Sequence, residues 1–197
     1  RDGFLTYLVT IDRDLALWSQ LSLTRDALSA FGASWNGLIT DQQSTLQRIY
    51  IEEDPNPAGA QERVIRDQAN AQYAQAHGKF HPSFRELKDQ GGYYDVFLID
   101  PDGNLIYSVY KEMDFATNLV SGEFANSGLG DAFRLARDSA APDAAFVDFA
   151  AYAPSFGAPA SFIARRVMSP TGEFLGVIAF QMPIDRLAAL VGDLGHG

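Results

Sequence analysis

The strongest constraint on the fold is a set of apolar segments joined by very short turns in the second half of the chain. YYDVFLI and LIYSVY flank the turn DPDGN, and ASFIARRVM and FLGVIAFQM flank SPTGE. Their β-branched and aromatic residues favour strands, and the linking residues favour tight turns. Strands joined by so short a turn run antiparallel. With AAFVDFA as a further strand, these segments predict an antiparallel sheet of about five strands.

The first half has a helical pattern instead. Apolar residues recur every three or four positions from Phe4 to Leu38, which indicates one long amphipathic helix reaching to about Tyr50. The prolines and the glycine of EEDPNPAG then end it. Further helices are predicted over 61–76, 82–88, GLGDAFRLARD and from Pro183 onward. The fold class is therefore α+β, with the long N-terminal helix packed on one face of the sheet.

The composition argues against two classes of binding partner. The 197 residues are 47% hydrophobic, enough for a sizeable core, and 15 basic against 25 acidic residues give a net charge of −10. That charge argues against nucleic acid and against docking flat on an anionic membrane. The chain has no cysteine, which excludes disulfides and thiol chemistry. No apolar run is long enough to span a membrane, and a chain that begins at Arg1 is expected to be a fragment or a processed product.

One connector carries unusual chemistry. VYKEMDFATNL follows the second strand and alternates charged side chains with Met113, Phe115 and Leu119, which should hold it against the domain. VDFAAYAPSFGAPASF repeats this mixture with Asp148 and Tyr152. Buried polar groups need partners, and a bound small molecule is one kind of partner. This pattern predicts a pocket between the sheet and the connector.

Three other interpretations remain open. His77 and His81, four positions apart, could share a helix face and bind a metal, but Gly78 and Pro82 favour local capping or surface packing. A carboxylate-dependent hydrolase could be assembled from four acids: Asp95, Glu112, Asp114 and Asp148. The long helix could serve a dimerisation module that binds no ligand. No cofactor motif is recognisable.

Several long strings, in this order, resemble the extracytoplasmic Cache sensor domains of bacterial methyl-accepting chemotaxis proteins. They are YYDVFLIDPDGNLIYSVYKEMDFATNL, SGLGDAFRLA, FVDFAAYAPSFGAPASFIA and LGVIAFQMPIDRL, and LQRIYIEEDPNPAG and HPSFREL also look like that group. The resemblance covers most of residues 10–192. It implies a single Cache-like module with a PAS-like sheet. Its parts would be the N-terminal helix and linker (1–60), a helical segment (61–92), the sensor core (93–192) and a tail (193–197) leading to the membrane or to a second module.

The resemblance also implies a binding site. In this family a small carboxylate, amino acid or amide binds between the sheet and the segment after the second strand. The corresponding residues here are Tyr94, Tyr107, Lys111, Asp114, Asn118, Asp148 and Tyr152. Lys111 would hold a carboxylate and Asp114 or Asp148 an ammonium or amide, which favours a zwitterion or a polar neutral ligand.

The functional hypothesis is a non-enzymatic, periplasmic ligand-sensing domain of a transmembrane chemoreceptor that forms a homodimer through its N-terminal helix. It needs no cofactor and contacts the membrane only through spans outside this chain. A sensor domain of a membrane-bound cyclase or histidine kinase is the nearest alternative. The hydrolase and the dimerisation module remain the alternatives from other classes.

Overall fold

The computed structural model describes residues 2–56, 71–141, 143–185 and 188–189. The helices are α1 (Asp2–Gln20), α2 (Ser22–Asn36), α3 (Gln42–Gln47), α4 (Ala71–Gly91) and α5 (Gly128–Asp138), with a π-helical turn at Arg48–Glu52 and a 3₁₀ turn at Ala153–Ser155. The strands are β1 (Asp95–Ile99), β2 (Leu105–Ser108), β3 (Ala145–Ala151), β4 (Pro159–Met168) and β5 (Phe174–Gln181). The predicted α+β class is confirmed.

The five strands form one antiparallel sheet in the order β2-β1-β5-β4-β3. Each predicted strand segment contains one of them. A register shift between β1 and β2 leaves Ile106 as an extra residue, because Leu98 pairs with Tyr107 while Ile99 pairs with Leu105. This bulge reverses the facing of the rest of β2. Leu105 therefore packs on one face of the sheet and Tyr107 on the other.

Helices α1, α2 and α4 cover one face of the sheet, and α5 with the segment that precedes it covers the other. The helical-side core contains residues of α1, α2 and α4 packed on the sheet. The α5-side core contains Phe97, Leu119, Leu129 and Phe133, all fully buried. Ser127 caps α5 by accepting a hydrogen bond from the Gly130 amide at 3.2 Å. Both faces of β1, β2 and most of β5 are therefore buried, and polar groups there require an explanation.

The prediction of one continuous N-terminal helix is wrong. Leu21 is extended and separates α1 from α2, and a second interruption follows α2 at Gly37. The Arg25 guanidinium donates to the Gln20 carbonyl at 2.7 Å, which satisfies an acceptor at the end of α1. The break lets both helices bury their apolar faces against one twisted sheet, with Ile11 of α1 and Phe31 of α2 fully buried.

The separation of a helix at 61–76 from another at 82–88 is also wrong, because α4 runs from Ala71 to Gly91 through Pro82. Pro82 lies on the exposed face, and Gly78, four residues earlier, has open space where a side chain would be. Phe80 and Phe84, at 3% and 0% exposed, hold the helix on the core despite the missing hydrogen bond. Residues 61–70 of the prediction lie outside the described residues.

The predicted closing helix is seen only in part, as helical residues at 184–185 and 188–189; the remainder and the tail 193–197 lie outside the described residues. Within the described ranges, no helix combines the length and the apolar character needed to cross a membrane.

Candidate functional site

The connector, residues 109–127, folds back along the outer edge of β2. The Ala116 amide donates to the Leu105 carbonyl at 3.1 Å, and the Leu105 amide donates to the Thr117 carbonyl at 2.9 Å. Lys111 and Ala116 both have positive φ, at 57° and 65°, a conformation that non-glycine residues rarely adopt. The connector is thus held in one strained shape, as is common at ligand sites.

Three carboxyl groups are buried under the connector. Asp95 at the start of β1, and Glu112 and Asp114 in the connector, are 1%, 6% and 1% exposed. Asp95 Oδ1 accepts hydrogen bonds from the amides of Val109 and Tyr110, each at 3.0 Å, so it fixes the point where β2 becomes the connector. No ion pair among the described residues includes any of the three carboxyl groups.

Hydroxyl groups hold Glu112 and Asp114 in place. The Tyr94 hydroxyl and Ser155 Oγ, the latter at 2.8 Å, donate to Glu112. The Tyr152 hydroxyl donates to Asp114 Oδ2. Ser155 and Tyr152 belong to the segment after β3, so the acids bind the connector to the far edge of the sheet.

Three acceptor atoms of this cluster have no hydrogen-bond partner. They are Asp95 Oδ2, Asp114 Oδ1 and Gln181 Oε1, and all three are buried. Gln181 pairs with Asp95 across β5 and β1, and its Nε2 donates to Ser155 Oγ at 3.1 Å. Unsatisfied buried acceptors are rare and call for a partner that supplies N–H or O–H donors.

Burial raises the pKa values of the three carboxyl groups. It raises the pKa of Asp114 to about 7; the charge of Glu112 adds to this, and the hydrogen bond from Tyr152 opposes it. Burial also raises the pKa of Asp95 well above its usual range, with the Asp114 charge as the next cause, and raises the pKa of Glu112. A cation placed among them would favour their ionised forms.

The structure brings three of the seven predicted site residues into this cluster: Tyr94, Asp114 and Tyr152. Asn118 lies beyond it, where its Nδ2 donates to Asn104 Oδ1 at 2.9 Å and its Oδ1 accepts from the Val120 amide at 2.9 Å. Asp148 is exposed in an apolar groove beside α1.

Tyr107 and Lys111 lie on the helical side of the sheet. The bulge at Ile106 turns Tyr107 toward α2, where its ring stacks on Phe31 with 4.9 Å between centroids. Lys111 is fully buried, with its Nζ 5.3 Å from the centre of the Tyr107 ring.

Sequence reasoning did not assign Ser155, Gln181, Asp95 or Glu112 to the ligand site; Asp95 entered only as a hydrolase acid, and Glu112 as a hydrolase acid and as one of the charges of the connector. An available signal was an aspartate at the head of the otherwise apolar run VFLI, because a carboxyl there is buried once the strand is internal.

The two histidines are in the core, so the prediction of capping or surface packing is wrong. His77 and His81 are 0% and 1% exposed, and their rings stack with 4.3 Å between centroids. His81 Nδ1 shares a hydrogen bond of 2.7 Å with the Tyr107 hydroxyl. In the part of the chain that the structure describes, no group of three or more His, Asp or Glu side chains is arranged to hold a metal ion.

Gln47 of α3 ties the connector to the N-terminal helices. Its Nε2 donates to the carbonyls of Met113, at 3.0 Å, and Phe115, at 2.7 Å, on either side of Asp114. The π-helical turn that follows α3 adds Tyr50, whose ring meets Phe115 edge-on. Asp114 thus lies between two carbonyl groups that are hydrogen-bonded to the helical layer.

Gln47→Ala should therefore loosen the connector, at a cost of about 1 kcal/mol in the free energy of unfolding, since two carbonyls lose their donor. Hydrogen exchange of the connector amides, together with urea denaturation, measures both effects. Gln43→Ala, on the exposed side of α3, is the matched control and should change neither. Equal exchange in the two variants would show that Gln47 does not hold the connector.

The solved structures that match this chain include two sensor domains. The sensor domain of the histidine kinase DctB from V. cholerae is 18% identical to this chain; the match covers 83% of this chain and 56% of that one, with a TM-score of 0.44. The ligand-binding domain of the Campylobacter jejuni chemoreceptor Tlp3, in complex with L-valine, is 11% identical over 95% of this chain and 66% of that one, with a TM-score of 0.44. This chain thus spans between 56% and 66% of those two domains. No family model matches the sequence, and the comparison with curated proteins finds no relative.

Proposed function

We propose that this chain is the extracytoplasmic ligand-sensing domain of a transmembrane receptor, a chemoreceptor or a histidine kinase, and that it binds a small amine between the sheet and the connector. The observation that carries the proposal is the buried cluster of Asp95, Glu112 and Asp114, which has no cationic partner among the described residues. The proposed site residues are these three with Tyr94 and Tyr152.

The energetics of burial support a ligand. Removing a carboxylate from water costs several kcal/mol unless a cation or donors replace the water. Three such groups side by side reduce stability and also repel one another, so folding alone gives no reason to gather them. Strongly perturbed acids grouped beneath a strained connector are typical of a binding site.

The number of open acceptors supports a primary ammonium. Such a group has three N–H donors, and the cluster has three unpartnered acceptor oxygens. Tyr94 and Tyr110 stack 5.2 Å apart beside it and add the aromatic surface that organic cations prefer. Lys111 lies across the sheet, so we assign no carboxylate to the ligand and favour an amine over a zwitterion.

A hydrolase fits this arrangement less well. Its carboxylates would line an open cleft, with one of them able to activate water. Here Asp114 is 1% exposed and already accepts a hydrogen bond from Tyr152, and Asp148 is exposed beside α1.

Signalling would use the connection to the helical layer. A ligand that binds better to one shape of the connector shifts the population toward that shape, and Gln47 passes the shift to α3. We further propose a homodimer through the N-terminal helix. Leu5, Val9 and Leu17 of α1 are 54–62% exposed and supply apolar area for a second copy.

A thermal-shift screen of the 197-residue chain tests the proposal, with 1,4-diaminobutane, ethanolamine, L-alanine and 1,4-butanediol as first probes. An amine at about 100 times its dissociation constant should add about 2.7 kcal/mol to the free energy of unfolding and raise the melting temperature. The uncharged analogue 1,4-butanediol should not. An equal rise with 1,4-butanediol, or no rise with any amine, would contradict the proposal.

A further inference from the structure

A cleft separate from the acidic cluster lies where the corner between α1 and α2 meets the last residues of β4 and the segment after α5. Its volume is about 540 Å³, within the range of small-molecule sites. The polar side chains that line it are Ser19, Gln20, Arg25, Asp143, Arg165, Arg166 and Ser169. None of them belongs to the acidic cluster.

Unequal strand lengths create this cleft. The pairing of β3 with β4 begins at Ala145 opposite Ala164, whereas β4 continues four residues further to Met168. The last part of β4 therefore has a strand partner only on the β5 side. Arg165 and Arg166 are the first residues of this part, and successive side chains of a strand point to opposite faces. Arg165 and Arg166 therefore reach the cleft from opposite faces of β4.

The arginines of the cleft differ in their partners. Arg165 donates to Asp12 at 3.0 Å, so its charge is balanced by α1. Arg25 donates to the Gln20 carbonyl at 2.7 Å and Arg166 to the Ser139 carbonyl at 2.9 Å. Among the described residues, neither of these two guanidinium groups has a carboxylate within 4.0 Å.

Arg166 also has a donor that is not used. Its Nε is buried and has no hydrogen-bond acceptor, while its guanidinium lies over the Phe174 ring, 5.1 Å from the centre. In a chain of net charge −10, two uncompensated guanidinium groups in one cleft are not explained by surface composition. A planar guanidinium with free N–H groups suits the oxygens of a carboxylate or a phosphate.

We propose that this cleft binds a small organic anion through Arg25 and Arg166. The recognised chemistry is an oxyanion group, carboxylate or phosphate, and Asp143 at the same cleft favours a molecule that also carries a hydroxyl or ammonium donor. The bound anion joins the corner of the N-terminal helices to β4, so it stabilises that contact. This site is independent of the amine site and does not rest on the proposed function.

Isothermal titration calorimetry of the 197-residue chain with succinate, glycerol 1-phosphate and inorganic phosphate, at constant ionic strength, tests the proposal. At least one probe should bind saturably, and the comparison of succinate with the two phosphates distinguishes carboxylate from phosphate recognition. Arg166→Gln and Arg25→Gln should each weaken that binding at least tenfold. Arg13→Gln, which removes an exposed charge outside the cleft, should leave it unchanged.

Two results would overturn the site. One is the absence of saturable binding of all three probes; the other is an equal loss in Arg13→Gln, which would mean non-specific charge attraction. Because Arg166 is partly buried, the melting temperature of its variant without anion is measured first. If that variant does not fold, Arg25→Gln decides the outcome.

Discussion

Asp114→Asn is expected to weaken the binding of the amine found in the thermal-shift screen about 100-fold or more. The substitution keeps the shape of the side chain and an acceptor for the Tyr152 hydroxyl, but it removes a buried charge that faces the ligand. Removing one partner of a buried, hydrogen-bonded charge pair costs about 2–5 kcal/mol. Calorimetric titration of the amine into both proteins at pH 8 measures the ratio of the two dissociation constants.

Asp148→Asn is the matched control, because it makes the same chemical change in a residue that is exposed beside α1. It should change the dissociation constant less than twofold. Equal losses in the two variants would mean that the amine responds to the total charge of the domain and not to the cluster. Unchanged binding in Asp114→Asn would place the amine elsewhere.

The stability of the unliganded domain should depend on pH through Asp114. Burial raises the pKa of this carboxyl from its ordinary value of 3.8 to about 7, so the native state holds its proton more tightly than the unfolded chain does. The stabilisation is complete below pH 4 and is lost as the pH rises through 7. Between pH 5 and pH 8 this one group changes the free energy of unfolding by about 2–3 kcal/mol.

The comparison with Asp114→Asn separates this contribution from those of other buried groups. The pKa values of Asp95 and Glu112 are also raised, so both act in the same direction. Burial lowers the pKa of His77 well below 6.5, so this group acts in the opposite direction and reduces stability as the pH falls below 6.5. Urea denaturation of both proteins at pH 5 and pH 8 should show the asparagine variant gaining about 2–3 kcal/mol relative to the parent at the higher pH. A constant difference would mean that Asp114 titrates near its ordinary pKa.

The effect of Asp114 on amine binding and its effect on the pH dependence of stability have one cause, which is its raised pKa. An acid with a pKa near 7 is half protonated at neutral pH, and an ammonium group binds its ionised form. Amine binding should therefore release protons, and the affinity should fall below pH 7. A receptor with this site would respond to its amine more weakly in acid surroundings.

The two proposed sites have opposite charge and lie toward opposite ends of the sheet. Gln181 of the acidic cluster pairs with Phe162 of β4, while Arg166 is four residues further along the same strand, about 13 Å away. The cluster contacts α3 through the connector, whereas the arginine cleft contacts the corner of α1 and α2. Each site thus acts on a different part of the N-terminal helical layer.

The sequence alone determined what depends on local pattern. The strands, the tight turns between them and the helix over GLGDAFRLARD could be predicted because side-chain periodicity and turn residues act over a few positions. Antiparallel pairing followed from the short turns. The mixture of acids and aromatics in the connector predicted a pocket beside it, which stays a prediction; the structure brings Asp114, Tyr94 and Tyr152 together there.

Only the tertiary structure decided which side of the sheet each residue faces. One extra residue at Ile106 moves Tyr107 to the helical side, and strict alternation along β2 would have kept it beside the acids. The break at Leu21 and the passage of α4 through Pro82 are likewise settled by burial against the sheet, which outweighs local preferences of about 1–3 kcal/mol. The contact of Asp95 with Gln181, 86 positions later, arises from strand order, which no local pattern encodes.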